Sequence, residues 1–428
     1  MDQPSGNGNN EKLLSYRDSD SSIKKWSFIK FLGPAFLVSV GYMDPGNWAT
    51  DIDGGARFGY KLLWIILVSN LIAILMQTLA AKLGIATGKD LAQNCKEKFS
   101  KPVNYGLWST AEIAMIATDF AEFMGSAIAI KLLFHIPLLE ATVITGLDVI
   151  LILALQRYGF RWVETAIILF VATIMFSYLI ELFYAKPQYS EIPGGFIPGI
   201  DSKSILVAIG ILGATVMPHN LFLHSNIIQT RFLFKTDNIN IKKKVLGFAK
   251  LDNAIALNMA FLVNSAILIM SAAAFGSRGL QVAEIEQAHI TLEFLFGASA
   301  ATIFAIALLA SGLSSSTTGT MAGQIVMEGF LDIRIQPWLR RIVLRLLVIM
   351  PAIIAIAAGV SPIRMLVVSQ VVLSFQLPFS VIPLLMFTSN KRLMGEFTNK
   401  AWVNVLGILC AVVIIGLNLY LIYATIAG

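Results

Sequence analysis

Two short peptides carry the chemistry of this chain: Asp44-Pro45-Gly46-Asn47 and Met217-Pro218-His219-Asn220. Each stands inside a long apolar segment, and each has a proline directly after a residue with a donor side chain. Proline has no N–H and clashes with the preceding turn, so a helix opens there and backbone carbonyls are freed. At membrane depth such carbonyls are tolerated only where they are buried in protein or line a cavity. Around the two breaks stand a carboxylate (Asp44), a carboxamide (Asn47) and a thioether (Met217). Carboxylate and amide oxygens suit many divalent cations, but a thioether offers nothing to Mg²⁺ or Ca²⁺ and favours softer ions. The set reads as a site for Mn²⁺, Fe²⁺ or the softer Cd²⁺. The carbonyls of Gly41 and Ala214, at the negative ends of the preceding half-helices, add oxygens. Gln376, just before Leu377-Pro378, marks a third expected helix irregularity near this site.

A second group of residues titrates. Asp44 is an ionisable group at membrane depth, which is functional by default. Glu112, Asp119 and Glu122 lie seven and three residues apart, near one face of a helix. Three acids in one apolar span do not face lipid, and they read as a proton pathway or a solvated vestibule. His219 suits a proton relay by its titration range and equally suits a hydrogen-bonded buried histidine. His224, further along, reads as peripheral. Arg345 is either the partner of the acids or an anchor at the inner membrane face. The run Ser311–Gly319 is small and polar, which reads as close helix packing. No phosphate loop, zinc-protease helix or nucleophile elbow occurs, so nothing points to an enzyme or to a resident cofactor.

The elements that must position these residues are membrane helices. The chain has 428 residues, 56% of them hydrophobic and 14% charged, with a mean hydropathy of +0.74. The sequence predicts an all-α polytopic membrane protein of about eleven spans: 29–56 (broken near 44), 61–84, 103–132, 138–156, 162–184, 203–231 (broken near 217), 246–274, 290–328, 337–359, 364–389 and 400–426. Residues 1–28 are polar, lack a signal-peptide core and read as a disordered cytoplasmic tail. The transmembrane domain is expected over 29–428.

Loop charge tests the count. With the amino terminus in the cytoplasm, 25 of the 32 basic residues fall in the tail or in inside loops. The exceptions are Arg57, Lys61, Lys131, Lys186, Lys203, Arg278 and Arg364. The carboxyl terminus then lies outside. The net charge of +6 is spread over these loops and does not indicate nucleic-acid binding. Cys95, in a Lys-rich loop, and Cys410, in the last span, should not pair. Five spans, an odd number, run from the start of the first broken helix to the start of the second, so 29–184 and 203–390 form an inverted repeat, with 400–426 added. In that architecture two discontinuous helices meet at the bilayer midplane around the substrate.

These residues resemble the Nramp family of proton-coupled divalent metal transporters over nearly all of 29–426. The likeness rests on Asp44–Asn47, on Met217–His219 and on the stretch Ala117–Phe123. It also rests on Gly323–Leu331 followed by Trp338, Arg340, Arg341 and Arg345. Leu344 stands where the family's signature leads one to expect Thr. The resemblance implies an amino-acid/sodium symporter-like fold and uptake of Mn²⁺ and Fe²⁺, with Cd²⁺ and Co²⁺ as further substrates. It implies metal ligation by Asp44, Asn47 and Met217, and proton involvement of Asp44, Glu122, Asp119 and His219. A plasma-membrane monomer is expected, acting by alternating access. The alternatives are a non-transporting metal sensor on the same fold, which would be expected to carry a soluble signalling domain, and an amino-acid symporter, whose zwitterion Met217 and Asp44 suit less well than a metal.

Overall fold

The computed structural model describes residues 33–147, 160–199, 201, 204–231, 238–280, 282, 284–333 and 335–427. The tail at 1–28, Arg157 and most of the latter half of the span expected at 138–156 lie outside the described residues. No β-strand occurs among the described residues. In chain order the helices are α1 Pro34–Ser39, α2 Pro45–Phe58, α3 Leu63–Thr87, α4 Leu91–Lys98, α5 Lys101–Phe134, α6 Leu138–Thr145, α7 Phe160–Ala185, α8 Ile205–Thr215, α9 Pro218–Ile227, α10 Ile239–Ala274, α11 Ile285–Phe296, α12 Ala298–Leu331, α13 Pro337–Ala357, α14 Pro362–Ser389, α15 Lys391–Met394 and α16 Ala401–Ala427.

Among the described residues, eight helical stretches are long and apolar enough to cross a bilayer. Three differences separate this from the eleven expected. The half-helix α2 runs through a tight turn into α3 and forms one continuous stretch with it, Pro45–Thr87. Helix α13 carries Arg340, Arg341 and Arg345 in 21 residues, which makes it too charged to count. The span expected at 138–156 is described only as far as Leu147. Two further expectations are corrected. The span expected at 290–328 is two helices, because Gly297 at φ 90° and ψ 168° separates α11 from α12. The Lys-rich loop around Cys95 contains helix α4, which starts with an Asp90/Gln93 capping box. Cys95 is 1% exposed on its inner face.

The core is built by α5, α12, α10 and the broken helices, while α7 and α16 turn apolar side chains outward. Phe176, Leu179 and Phe183 of α7 are exposed, as are Val405, Leu409 and Val412 of α16. An exposed side this apolar faces lipid.

Candidate metal site

The first break forms as the sequence reading expects. Helix α1 tightens into a single 3₁₀ turn at Val40–Tyr42 and stops at Met43. Asp44 is extended, with φ −72° and ψ 167°, and caps α2. Its Oδ1 accepts the Asn47 backbone N–H at 2.9 Å and the Asn47 side-chain amide at 2.6 Å. The freed carbonyls find side-chain donors from distant helices. Asn264 of α10 donates to the carbonyl of Tyr42 at 2.8 Å. Ser311 of α12 donates to that of Met43 at 2.6 Å, and Trp48 Nε1 reaches the same oxygen at 3.1 Å. Part of the small polar run on α12 therefore holds the break open, beyond packing helices together.

The second break lies against the first. Helix α8 ends at Thr215, and Met217 is extended at the start of α9 with no side-chain cap. Met217 is 1% exposed. The amide nitrogen of Asn47 donates to the carbonyl of Ala214 at 3.1 Å, and Thr215 Oγ1 lies 3.3 Å from Asn47 Oδ1. Asp44, Asn47 and Ala214 thus converge from opposite halves of the chain. Gly41 faces Asn220 so closely that a side chain there would strike the Asn220 amide.

One residue beside the site escaped the sequence reading, and two others were misplaced by it. The amide of Gln370 on α14 packs where a side chain on Gly46 would stand, within reach of the Asp44 carboxylate. Gln376, the glutamine favoured from sequence, instead accepts from Ser380 one turn further along its own helix at 2.9 Å. The irregularity expected at Pro378 is absent, and α14 runs through Pro378 and Pro383. His224 is fully buried and not peripheral: its Nδ1 lies 3.0 Å from Gln77, which donates to the Tyr42 hydroxyl at 2.7 Å.

The acids of α5 divide into two classes. Glu112 pairs with Arg340 at 2.7 Å and Asp119 with Arg345 at 3.4 Å, so Arg345 is a partner and not an anchor. Arg345 also donates to Ser316 at 2.9 Å, and its guanidinium lies 5.0 Å from the Phe123 ring centre. Glu122 is fully buried, and neither of its carboxylate oxygens has a hydrogen-bond partner among the described residues. Gly319 of α12 admits it: a side chain there would stand 2.6 Å from Glu122 Oε2. His219 is also fully buried, with Nδ1 3.4 Å from the hydroxyl of Thr118, one turn before Glu122. No cluster of three or more His, Cys, Asp or Glu able to hold a metal occurs among the described residues. Among the described residues the two breaks bring together one carboxylate with amide, carbonyl and thioether groups.

The family model "natural resistance-associated macrophage protein-like" matches residues 35–424. The chain belongs to the Nramp family. A divalent metal cation transporter MntH of Nostoc sp. is 52% identical over 94% of this chain and 92% of its own length. A natural resistance-associated macrophage protein 2 homolog of Dictyostelium discoideum is 46% identical over 99% of this chain and 66% of its own. The crystal structure of the Eremococcus coleocola manganese transporter superposes with a TM-score of 0.87 at 38% identity, covering 100% of this chain and 90% of that one. The nucleobase-cation symporter Mhp1 shares the fold, with a TM-score of 0.60 at 15% identity over 91% of this chain and 92% of its own. Nramp proteins are membrane metal transporters and not enzymes, which agrees with the chemistry of the breaks.

Proposed function

We propose that this Nramp protein imports Mn²⁺ and Fe²⁺, with Cd²⁺ and Co²⁺ as further substrates, by alternating access across the cell membrane, and that protons move inward with the metal. The observation that carries this reading is the Asn47 amide, which links Asp44 Oδ1 of the first break to the Ala214 carbonyl of the second. A cation that replaces this amide N–H₂ meets both oxygens, and a turn of the amide adds Asn47 Oδ1. Met217 supplies the sulfur and Gln370 a further amide, while Gly41 adds a backbone carbonyl. Glu122 is the proton carrier, because it is the one of the three acids Glu112, Asp119 and Glu122 that forms no salt bridge among the described residues. Asp44 exchanges protons with it, and His219 and Thr118 line the same face. Asp119–Arg345 and Glu112–Arg340 extend the path away from the site. All donors come from one chain, so a monomer suffices.

A divalent ion gains about 4.6 kcal/mol per 100 mV of membrane potential, twice the single-charge value, so metal import does not require tight proton coupling. The test is Mn²⁺ uptake into proteoliposomes with internal pH recorded together. Mn²⁺ entering with internal acidification is expected. Folded protein that moves no Mn²⁺ would remove the transport reading, and Mn²⁺ moving without protons at any external pH would remove the coupling.

The loop charges favour a cytoplasmic amino terminus and an external carboxyl terminus. Cys95 is too buried to report on this. In a Cys95→Ser background, Lys98→Cys places a thiol at an exposed position of α4. It should resist impermeant thiol reagents in right-side-out vesicles, and labelling from outside would reverse the orientation.

A further inference from the structure

Beyond Asp44, one face of α2 carries Trp48 and then Asp51, four and seven residues on. At 1.5 Å per residue, Asp51 stands about 10 Å along the helix from Asp44. Asp51 is 1% exposed, and its Oδ2 has no hydrogen-bond partner among the described residues. On α7, Tyr178 and Glu181 share one face, and each is also 1% exposed. The Tyr178 hydroxyl and both carboxylate oxygens of Glu181 lack a hydrogen-bond partner too. The two helices meet through rings: Trp48 packs edge-on against Tyr178 at 4.9 Å and against Phe304 at 5.5 Å. The Tyr178 hydroxyl lies within electrostatic range of both Asp51 and Glu181. Asp51 in turn is close enough to feel the charge of Asp44.

An unpaired buried carboxylate is costly, and here two share one neighbourhood with an idle phenol. Arginine answers that need at Asp119 and Glu112, but among the described residues Asp51 Oδ2 and both Glu181 oxygens have no such partner. Just beyond the cluster opens a cavity of ≈ 990 Å³, lined by Ala56–Lys61 at the end of α2 and by Phe183–Lys186 at the end of α7. Its basic lining residues Arg57, Lys61, Lys186 and Arg278 are exposed, so salt screens them. The order along α2 is therefore cavity, oxygen cluster, aromatic plug, Asp44.

We propose that Asp51, Glu181 and Tyr178 form a second, oxygen-only site for a divalent cation, which holds the ion between the cavity and the Asp44 site. The proposal rests on the transport reading above. Two carboxylates balance the charge of one divalent ion, and the phenol supplies a neutral oxygen. With no thioether, the site accepts hard ions such as Ca²⁺ and Mg²⁺ as readily as Mn²⁺. Capture and selection are thereby separated: the outer cluster concentrates divalent ions, and Met217 rejects the hard ones further in.

The test is Mn²⁺ binding to the purified full-length protein, read by electron paramagnetic resonance. The Asp44→Ala protein should keep one Mn²⁺, weaker than wild type and displaced by Ca²⁺. Adding Asp51→Asn and Glu181→Gln should abolish it. Tyr178→Phe, which keeps the ring packing, should weaken it. In proteoliposomes, Asp51→Asn or Glu181→Gln should raise the KM for Mn²⁺ by about tenfold, in line with the loss of metal-site partners. The rate at saturating Mn²⁺ should persist, and inhibition by external Ca²⁺ should be relieved. No residual Mn²⁺ in Asp44→Ala, or residual Mn²⁺ that survives the added substitutions, would overturn the site. Either result leaves wild-type uptake untouched, whereas a wild-type protein that moves no Mn²⁺ would remove the transport reading itself.

Discussion

The two helix breaks differ in how they are held. Asp44 ties its own half-helix, accepting both N–H groups of Asn47. Met217 has nothing to cap with, and the half-helix that follows it is fixed from outside. At its far end Ser225 accepts the Leu91 N–H at 3.0 Å, and Asn226 donates to Asp90 at 2.8 Å. At its middle His224 rests on Gln77. A carboxylate can therefore be ligand and cap at once, while a thioether is free to be a ligand only if other residues do the structural work.

The comparison is broken most severely at Asp44. Asp44→Ala removes the only carboxylate at the two breaks together with a helix cap, and Mn²⁺ uptake should fall to the level of empty liposomes. A folded Asp44→Ala protein with near wild-type uptake would remove Asp44 from the site. Glu122→Gln should have the next largest effect. It keeps the shape admitted by Gly319 but carries no exchangeable charge, so the internal acidification that accompanies Mn²⁺ should weaken. Unchanged acidification would pass the proton role to another group.

Met217 sharpens the contrast. Met217→Ala should keep Mn²⁺ uptake within about tenfold of wild type, weaken competition by Cd²⁺ and admit competition by Ca²⁺ and Mg²⁺. Met217→Leu preserves the volume and separates lost sulfur from lost packing. An unchanged competition profile in both variants would return Met217 to the core.

The smallest effect is expected at Asp90, the outside support of the second break. Burial raises its carboxyl from the ordinary 3.8 to about 6, against the opposing pull of the Gln93 N–H and the Asn226 amide. The folded protein then binds more protons than the unfolded chain between these two values. Stability from this group falls as pH rises through that window and levels off above it. Asp90→Asn keeps a good cap and should flatten that part of the thermal-stability profile in detergent. A profile identical to wild type would show that Asp90 titrates elsewhere.

The breaks were legible because proline after a donor residue is rare inside an apolar span. Their meeting was legible because the positions match in the two halves. Gln370 was not, since nothing local distinguishes it, whereas Gln376 stands beside a proline. That proline misled: a membrane helix absorbs one when its neighbours accommodate the freed backbone group, and α14 continues. Helix α4 was hidden by its lysines, although the Asp90–Gln93 pair is a readable start signal. The division at Gly297 was hidden because apolar residues continue on both sides of it. The arginine partners of Glu112 and Asp119 depend on how α13 packs against α5, which spacing within either helix does not reveal.

The amide bridge from Asn47 to Ala214 joins two stretches of chain 167 residues apart. On the proposed function, a substrate bound there would be a fastener, gripped by one half of the chain on each side. Neither half alone holds the full set of donors proposed for this site, so a fragment carrying one half keeps only part of it. On that reading, when the halves part on either face of the membrane, the motion that clears a path would also pull the donors away from the ion. Opening and letting go are then a single event.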